Sequence, residues 1–190
     1  MGIAPAANGT NPNTGSAPLY RMPMENEWYK AAYYKGGGPT AGYWAYATQS
    51  DSAPGNVIGA AANQANYAPG GMFAVPQSAS FPQDQNLLTD VGAFSGSPSA
   101  YGTFDQTGNV FEWNDLDGTG GFFVGLRGGN FASGTTTISA ALGRGDEDPL
   151  QPLGGFRLVS PVPEPASLGL AAGGVALAWG WRLVRRWPPA

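Results

Sequence analysis

Glycine and proline punctuate this chain so densely that regular secondary structure has room in only a few places. Thirty glycines and seventeen prolines stand among 190 residues, about a quarter of the chain and close to the level at which disorder becomes a competing reading. Large rings argue for order. Six tryptophans, eight tyrosines and nine phenylalanines can bury the apolar area that a disordered segment lacks. The expectation is one ordered, loop-rich domain pinned by aromatic anchors, with modest helix and strand content, since a chain of this length suffices for one core and not for two. No repeat of fixed period is visible.

Cysteine and histidine are both absent, which removes most metal and nucleophile chemistry. Disulfides, thiolate nucleophiles, Cys/His zinc or copper sites, a Ser-His-Asp triad and a two-histidine iron site are all excluded. Charge is uneven. Residues 1–165 hold all thirteen acidic groups and six of the nine basic ones, a net of −7, whereas the last 25 residues hold Arg182, Arg185, Arg186 and no acid. A domain this acidic disfavours nucleic acid, which needs a basic surface.

Residues 1–19 are small, polar and rich in Asn, Gly and Pro, with neither region of a secretory signal; they read as a disordered arm. From Met24 to Lys35 the pattern is helical: Pro23 suits an entry position, Glu25 and Glu27 favour the positive end, and Lys30 and Lys35 favour the other. Gly36-Gly-Gly38 should end it. Trp28, Ala31, Ala32 and Lys35 share one face, so Trp28 is expected to be a buried anchor. Residues 37–100 read as loop with short strands at best. Short apolar runs at Val110–Trp113, Phe122–Leu126 and Phe156–Val159 read as strands, and Asp115–Gly120 as a hairpin turn.

The C-terminus changes character abruptly. Pro163-Glu164-Pro165 precedes Ala166–Trp181, sixteen residues without a charge, and then the three arginines. Sixteen helical residues rise about 24 Å, short of a ~30 Å hydrocarbon core. Extension through Leu183 and Val184, with Arg182 snorkelling, makes a span over 166–184 feasible. The arginine cluster places its end in the cytoplasm and the domain outside.

The segment Tyr101-Gly-Thr-Phe-Asp-Gln-Thr-Gly-Asn-Val-Phe-Glu-Trp113 sets Asp105 and Glu112 around a Gly-Asn turn. Calcium takes oxygen ligands from carboxylates and carbonyls in glycine-held loops, and Asp105, Glu112 and the carbonyls of Gly108 and Val110 could supply four. The alternative is a turn in which the two carboxylates only accept hydrogen bonds. This segment also resembles the signature of the formylglycine-generating enzyme (sulfatase-modifying factor) family, G-L-x-D-M-x-G-N-V-W-E-W. Three further matches keep the family's order: Tyr20-Arg-Met-Pro-Met-Glu-Asn-Glu-Trp-Tyr-Lys-Ala-Ala32, Arg127-Gly-Gly-Asn-Phe131 and Gly154-Gly-Phe-Arg-Leu-Val159.

The resemblance implies a partial, N-terminally truncated family domain over 20–160, an irregular, loop-rich α+β fold related to C-type lectins. It also implies a structural calcium at Asp105, Gly108, Val110 and Glu112. A second calcium would use Asn66, in Ala65-Asn-Tyr67, with Asp84 as a candidate acid. The family has Thr where Met24 stands, so the helix start here lacks a side-chain acceptor. Family activity rests on a copper-holding cysteine pair between the R-G-G and G-F-R motifs, and the corresponding interval, Ala132–Gly145, has no thiol; no copper is expected. Arg127, Arg144 and Arg157 could line a pocket, but read first as interior ion-pair partners for Glu25, Glu27 or Asp146. Residues 161–190 resemble a PEP-CTERM sorting signal, which implies an exosortase as partner. The leading expectation is therefore a non-catalytic, exported bacterial surface or matrix protein. It would be membrane-anchored by the C-terminal helix before any release or attachment, and would bind a polysaccharide or protein ligand. The alternative is a metal-dependent oxidase of the family's type.

Overall fold

A computed structural model of the chain describes residues 13–16, 18–115, 123–142, 145–147 and 154–160. The chain divides into a unit ending at Val159 and a second, Ser160–Ala190, which apart from Ser160 lies outside the described residues. The expected span over 166–184 and the sorting residues Pro163, Glu164, Pro165, Arg182, Arg185 and Arg186 fall there. Among the described residues no helix is long and apolar enough to cross a membrane.

Helix α1 covers Glu25–Tyr33. Glu25 and Glu27 in its first turn and Lys30 in its last complement the helix dipole. Met24 sits at the N-cap in extended conformation (φ −67°, ψ 161°), and Glu27 reaches back so that its Oε2 accepts the Met24 N–H at 2.8 Å, one half of a capping box. The helix is shorter than the expected Met24–Lys35. Tyr34 turns extended (φ −62°, ψ 134°) to bridge Tyr43, and the Trp44 N–H donates to the Tyr33 carbonyl at 2.6 Å. Pairing with this returning strand therefore ends the helix ahead of Gly36, Gly37 and Gly38, which form the left-handed loop between (φ 76°, 86° and 110°). The buried positions are Trp28, Ala32 and Tyr33, so the inward face is rotated from the expected one: Ala31 is only half-buried, and Lys35 lies past the helix.

Four short strands form one sheet in the order β3-β2-β1-β4: β1 Phe111–Asn114, β2 Val124–Arg127, β3 Gly145–Glu147 and β4 Gly154–Phe156. β1 pairs antiparallel with β2, placing Trp113 against Leu126, and parallel with β4, placing Trp113 against Phe156. β3 extends the sheet beyond β2. The expected strand at Phe156–Val159 starts earlier than expected, because Gly154 and Gly155 are the residues that lie against β1; Val159 instead makes a separate antiparallel bridge with Arg21. The turn between β1 and β2 lies outside the described residues.

Between α1 and β1 no named strand forms among the described residues. A three-residue 3-10 turn at Pro69–Gly71 and isolated bridges such as Gly55 with Gln64 hold the loops. Rings and small residues supply the core: Trp28, Ala32, Tyr33 and Ala47 pack together, Tyr46, Ala65, Tyr67 and Ile138 form a second group, and Met22 with Val124 a third.

Candidate functional site

The four sequence motifs converge on Trp28 and Glu112. Trp28 is fully buried on α1 and Glu112, on β1, is 6% exposed. The indole Nε1–H donates to Glu112 Oε2 at 2.7 Å. Arg157, just past β4, grips the same carboxylate with two nitrogens: Nε donates to Oε2 at 2.6 Å, and Nη2 donates to Oε1 and to the Phe104 carbonyl at 3.1 Å. The Arg-Gly-Gly motif closes the other side. Gly128 has φ 88°, and a Cβ there would stand 2.9 Å from the Gln106 carbonyl and 3.5 Å from the Trp28 ring. Its own carbonyl accepts the Gly108 N–H at 2.8 Å. A buried charge held by a bidentate guanidinium and an indole N–H is satisfied on both oxygens.

Around this node each polar side chain of the loop before β1 is engaged by the protein itself. Asp105 takes a left-handed backbone (φ 61°) and its Oδ2 accepts the Gly92 N–H at 2.7 Å; burial pushes its carboxyl above the usual carboxylate range, with the Gly92 N–H and Arg157 acting against that rise. Thr107 Oγ1 accepts the Ala47 N–H at 3.0 Å. Asn109 Oδ1 accepts from Asn66 Nδ2 at 2.9 Å and from the Thr89 N–H at 3.0 Å. Gly108 lies so near Asn66 that a Cβ would fall 2.1 Å from the Asn66 carbonyl oxygen, at a φ of 80°.

These contacts do not fit the calcium set expected from the resemblance. A cation at Glu112 would have to share its carboxylate with a guanidinium, and like charges in a site this dry repel strongly. Asn66 is buried and carries an Oδ1 without a hydrogen-bond partner, but Asp84 is exposed and no contact brings the two together.

The interval after Arg-Gly-Gly is given over to turns. Ser133 Oγ accepts the Asn130 N–H at 2.9 Å and donates to Asn130 Oδ1 at 3.0 Å, while Ile138 is fully buried in the core. A cavity of about 330 Å³ opens beside this segment, walled by Phe111, Leu126, Arg127, Thr137, Ser139 and Leu142. Arg127, its charged wall residue, is already held: Nε donates to Glu25 Oε1 at 2.9 Å, Nη1 to the Leu142 carbonyl, and the guanidinium lies 5.2 Å from the Tyr29 ring centroid.

The interior ion pairs therefore differ in part from expectation. Arg127 does pair with Glu25. Glu27, however, goes to Arg21, at 2.6 and 2.7 Å, and Arg157 takes Glu112. Arg144 and the side chain of Asp146 lie outside the described residues.

Sequence reasoning missed a ring ladder. From buried Tyr33, aromatic contacts run to Tyr29 (4.9 Å between centroids), Tyr43 (5.1 Å), Tyr34 (6.0 Å) and Tyr101 (5.9 Å, near-parallel), ending at the surface where Tyr43 and Tyr101 are 48% and 53% exposed. Its rings are scattered between residues 29 and 101, and only loop closure unites them; no local spacing could reveal it.

Comparison with known proteins follows the same motifs. Residues 4–162 match the sulfatase-modifying factor enzyme 1-like domain, a stretch that begins ahead of residue 20, and residues 161–186 match the PEP-CTERM protein-sorting motif. Among solved structures the chain is similar to CarF, at 26% identity over 80% of this chain and 50% of that one, with a TM-score of 0.47. It is also similar to Treponema denticola variable protein 1, at 21% identity, 82% and 55% coverage and a TM-score of 0.48. The chain spans about half the length of these two structures. No curated protein matches it. The sorting motif marks the protein for export and exosortase-mediated sorting. With most of its length matched, the chain belongs to the sulfatase-modifying factor enzyme 1-like domain family and carries a PEP-CTERM sorting motif.

Proposed function

We propose that the protein is an exported, non-catalytic member of its family, displayed at the cell surface or in the extracellular matrix, where its domain binds a polysaccharide or protein partner. One observation carries the non-catalytic part. The interval Ala132–Gly145, in which the resemblance calls for metal-holding thiols, contains no cysteine, and its buried residues serve packing: Ser133 closes a turn on Asn130 and Ile138 fills the core beside Tyr46, Ala65 and Tyr67. Hydroxyls and aliphatic carbons do not replace soft thiolates for Cu(I).

The test is direct. A peptide containing Cys-x-Pro-x-Arg, incubated with the protein, oxygen and copper, should keep its thiol by mass spectrometry to the level of a metal-only control. Conversion above that control, or stoichiometric copper in the reconstituted protein, would establish the oxidase reading in its place. Binding is the positive half of the proposal, and the exposed end of the ring ladder supports it, since amphipathic rings are enriched where proteins meet partners.

A further inference from the structure

We infer that the exposed end of the ring ladder, formed by Tyr34, Tyr43 and Tyr101 with Lys30, Lys35 and Asp51 at its margin, is a glycan-binding ledge whose ligand is an uncharged polysaccharide. This inference rests on the binding role proposed above and names its site and its ligand class.

The ledge is preorganised. Tyr34 is fixed through its hydroxyl, which accepts the Gly38 N–H at 2.9 Å and donates to the Gly38 carbonyl at 2.5 Å. Tyr101 lies nearly parallel to it, with 26° between the ring planes, and Tyr43 is backed by Tyr29. A surface already ordered in the free protein loses little conformational entropy when it binds. Exposed tyrosine rings offer flat apolar faces to the C–H face of a pyranose and hydroxyls to its edge. Tyr43 stands edge-on to Tyr34, with 64° between the ring planes, and Tyr101 is stacked beside it, so the ledge presents two exposed rings in different orientations on either side of Tyr34.

Charge selects the class of sugar. The chain has two lysines in all, and both stand here: Lys30 Nζ lies 5.6 Å from the Tyr34 centroid, and Lys35 Nζ lies 4.4 Å from the Trp44 centroid while pairing with Asp51 Oδ2 at 2.9 Å. Arg21, Arg127 and Arg157 are each bound to a glutamate, so little free positive charge remains among the described residues to attract a polyanion to a domain of net charge −7. What the ledge margin offers is both kinds of hydrogen-bonding group: ammonium donors, a carboxylate acceptor and phenolic hydroxyls. Sugar hydroxyls donate and accept, and they match that set without requiring a net charge.

The experiment uses the full chain, purified in a detergent that lacks a sugar headgroup, in affinity electrophoresis through gels containing soluble glucan, mannan, galactan or xylan, with alginate as the acidic polymer and polyglutamate as a sugar-free polyanion. Retardation by at least one neutral polymer is expected, with Tyr43→Ala and Tyr101→Ala each weakening it roughly tenfold and Phe81→Ala, an exposed ring outside the ledge, leaving it unchanged. Melting curves of the three variants, measured alongside, should show each of them fully folded at the temperature of the gel. If the ledge variants bind a neutral polymer as tightly as the wild type does, the ledge is wrong and the polysaccharide reading stands. Retardation by alginate alone overturns the uncharged class, equal retardation by polyglutamate reduces the interaction to charge, and no retardation by any polymer overturns both readings.

Discussion

Glu112 shows how one residue changes meaning between sequence and structure. Beside a Gly-Asn turn and a second acid it reads as a cation ligand, yet its decisive neighbour, Arg157, lies 45 positions away and no local spacing announces it. Glu112→Gln keeps an acceptor for the Trp28 indole but strands the guanidinium. The expected loss is about 3 kcal/mol, the low end for a broken buried pair because the Arg157 side chain keeps 24% of its exposure, read as a lower urea midpoint. From the same geometry, wild-type melting is expected to be equal in calcium and in chelator; a rise with calcium would show that the carboxylate turns from arginine to a cation. Asp105 gives a prediction of opposite character. Burial raises its folded pKa above the unfolded value of about 4, so its contribution to stability is full below that value and is lost as pH rises through the folded pKa. Asp105→Asn keeps an acceptor for the Gly92 N–H and tolerates the left-handed backbone. The variant should therefore melt no lower than wild type at pH 7 and lose the part of the pH profile that falls above pH 4. Glu27 behaves inversely. Arg21 holds its carboxyl below the usual range, and that stabilisation is present at neutral pH and lost on acidification through the lowered value.

At the scale of elements, what could be read in advance was what has a local cause. Helix α1 announces itself through its acidic first turn and Trp28, and β1 and β2 through short apolar runs. β3 does not, because Gly145-Asp-Glu147 has no apolar pattern and owes its extended form to pairing with β2. The end of α1 is not legible for a related reason: glycines are the visible stop signal, whereas the actual one is the bridge from Tyr34 to Tyr43, a contact made after a loop. The start of α1 carries a correctable defect. Met24 occupies an N-cap with suitable dihedrals and no oxygen, while Glu27 already bonds its N–H. Met24→Ser should complete the capping box and add about 1 kcal/mol, or roughly 2–4 °C in melting temperature for a domain of this size, measured by circular dichroism. No gain would mean that the lost packing of the methionine offsets the new hydrogen bond.

For the whole molecule, the sorting motif directs export, and the proposed use of Pro163-Glu-Pro165 is presentation to a transpeptidase. In that proposal the two prolines would favour an extended backbone free of internal hydrogen bonds, and the apolar run over 166–184 would serve as a temporary anchor stopped by Arg182, Arg185 and Arg186. Expressed behind a secretion signal in a host with the exosortase, the mature protein should lack Trp187, and it should retain Trp187 in the deletion strain. Retention in both would leave the tail as an anchor alone. The position of the last folded residues adds a constraint in time. β4 beside β1, Arg157 on Glu112 and Val159 on Arg21 all lie within a few residues of the sorting motif, and each ties the end of the domain to its beginning or middle. Synthesis runs from the other end, so a nascent chain must hold Trp28 and Glu112 without their closing partners until nearly the whole domain has been made. The contacts that close the domain therefore form only after nearly all of its length has been made, whatever carries it across the membrane.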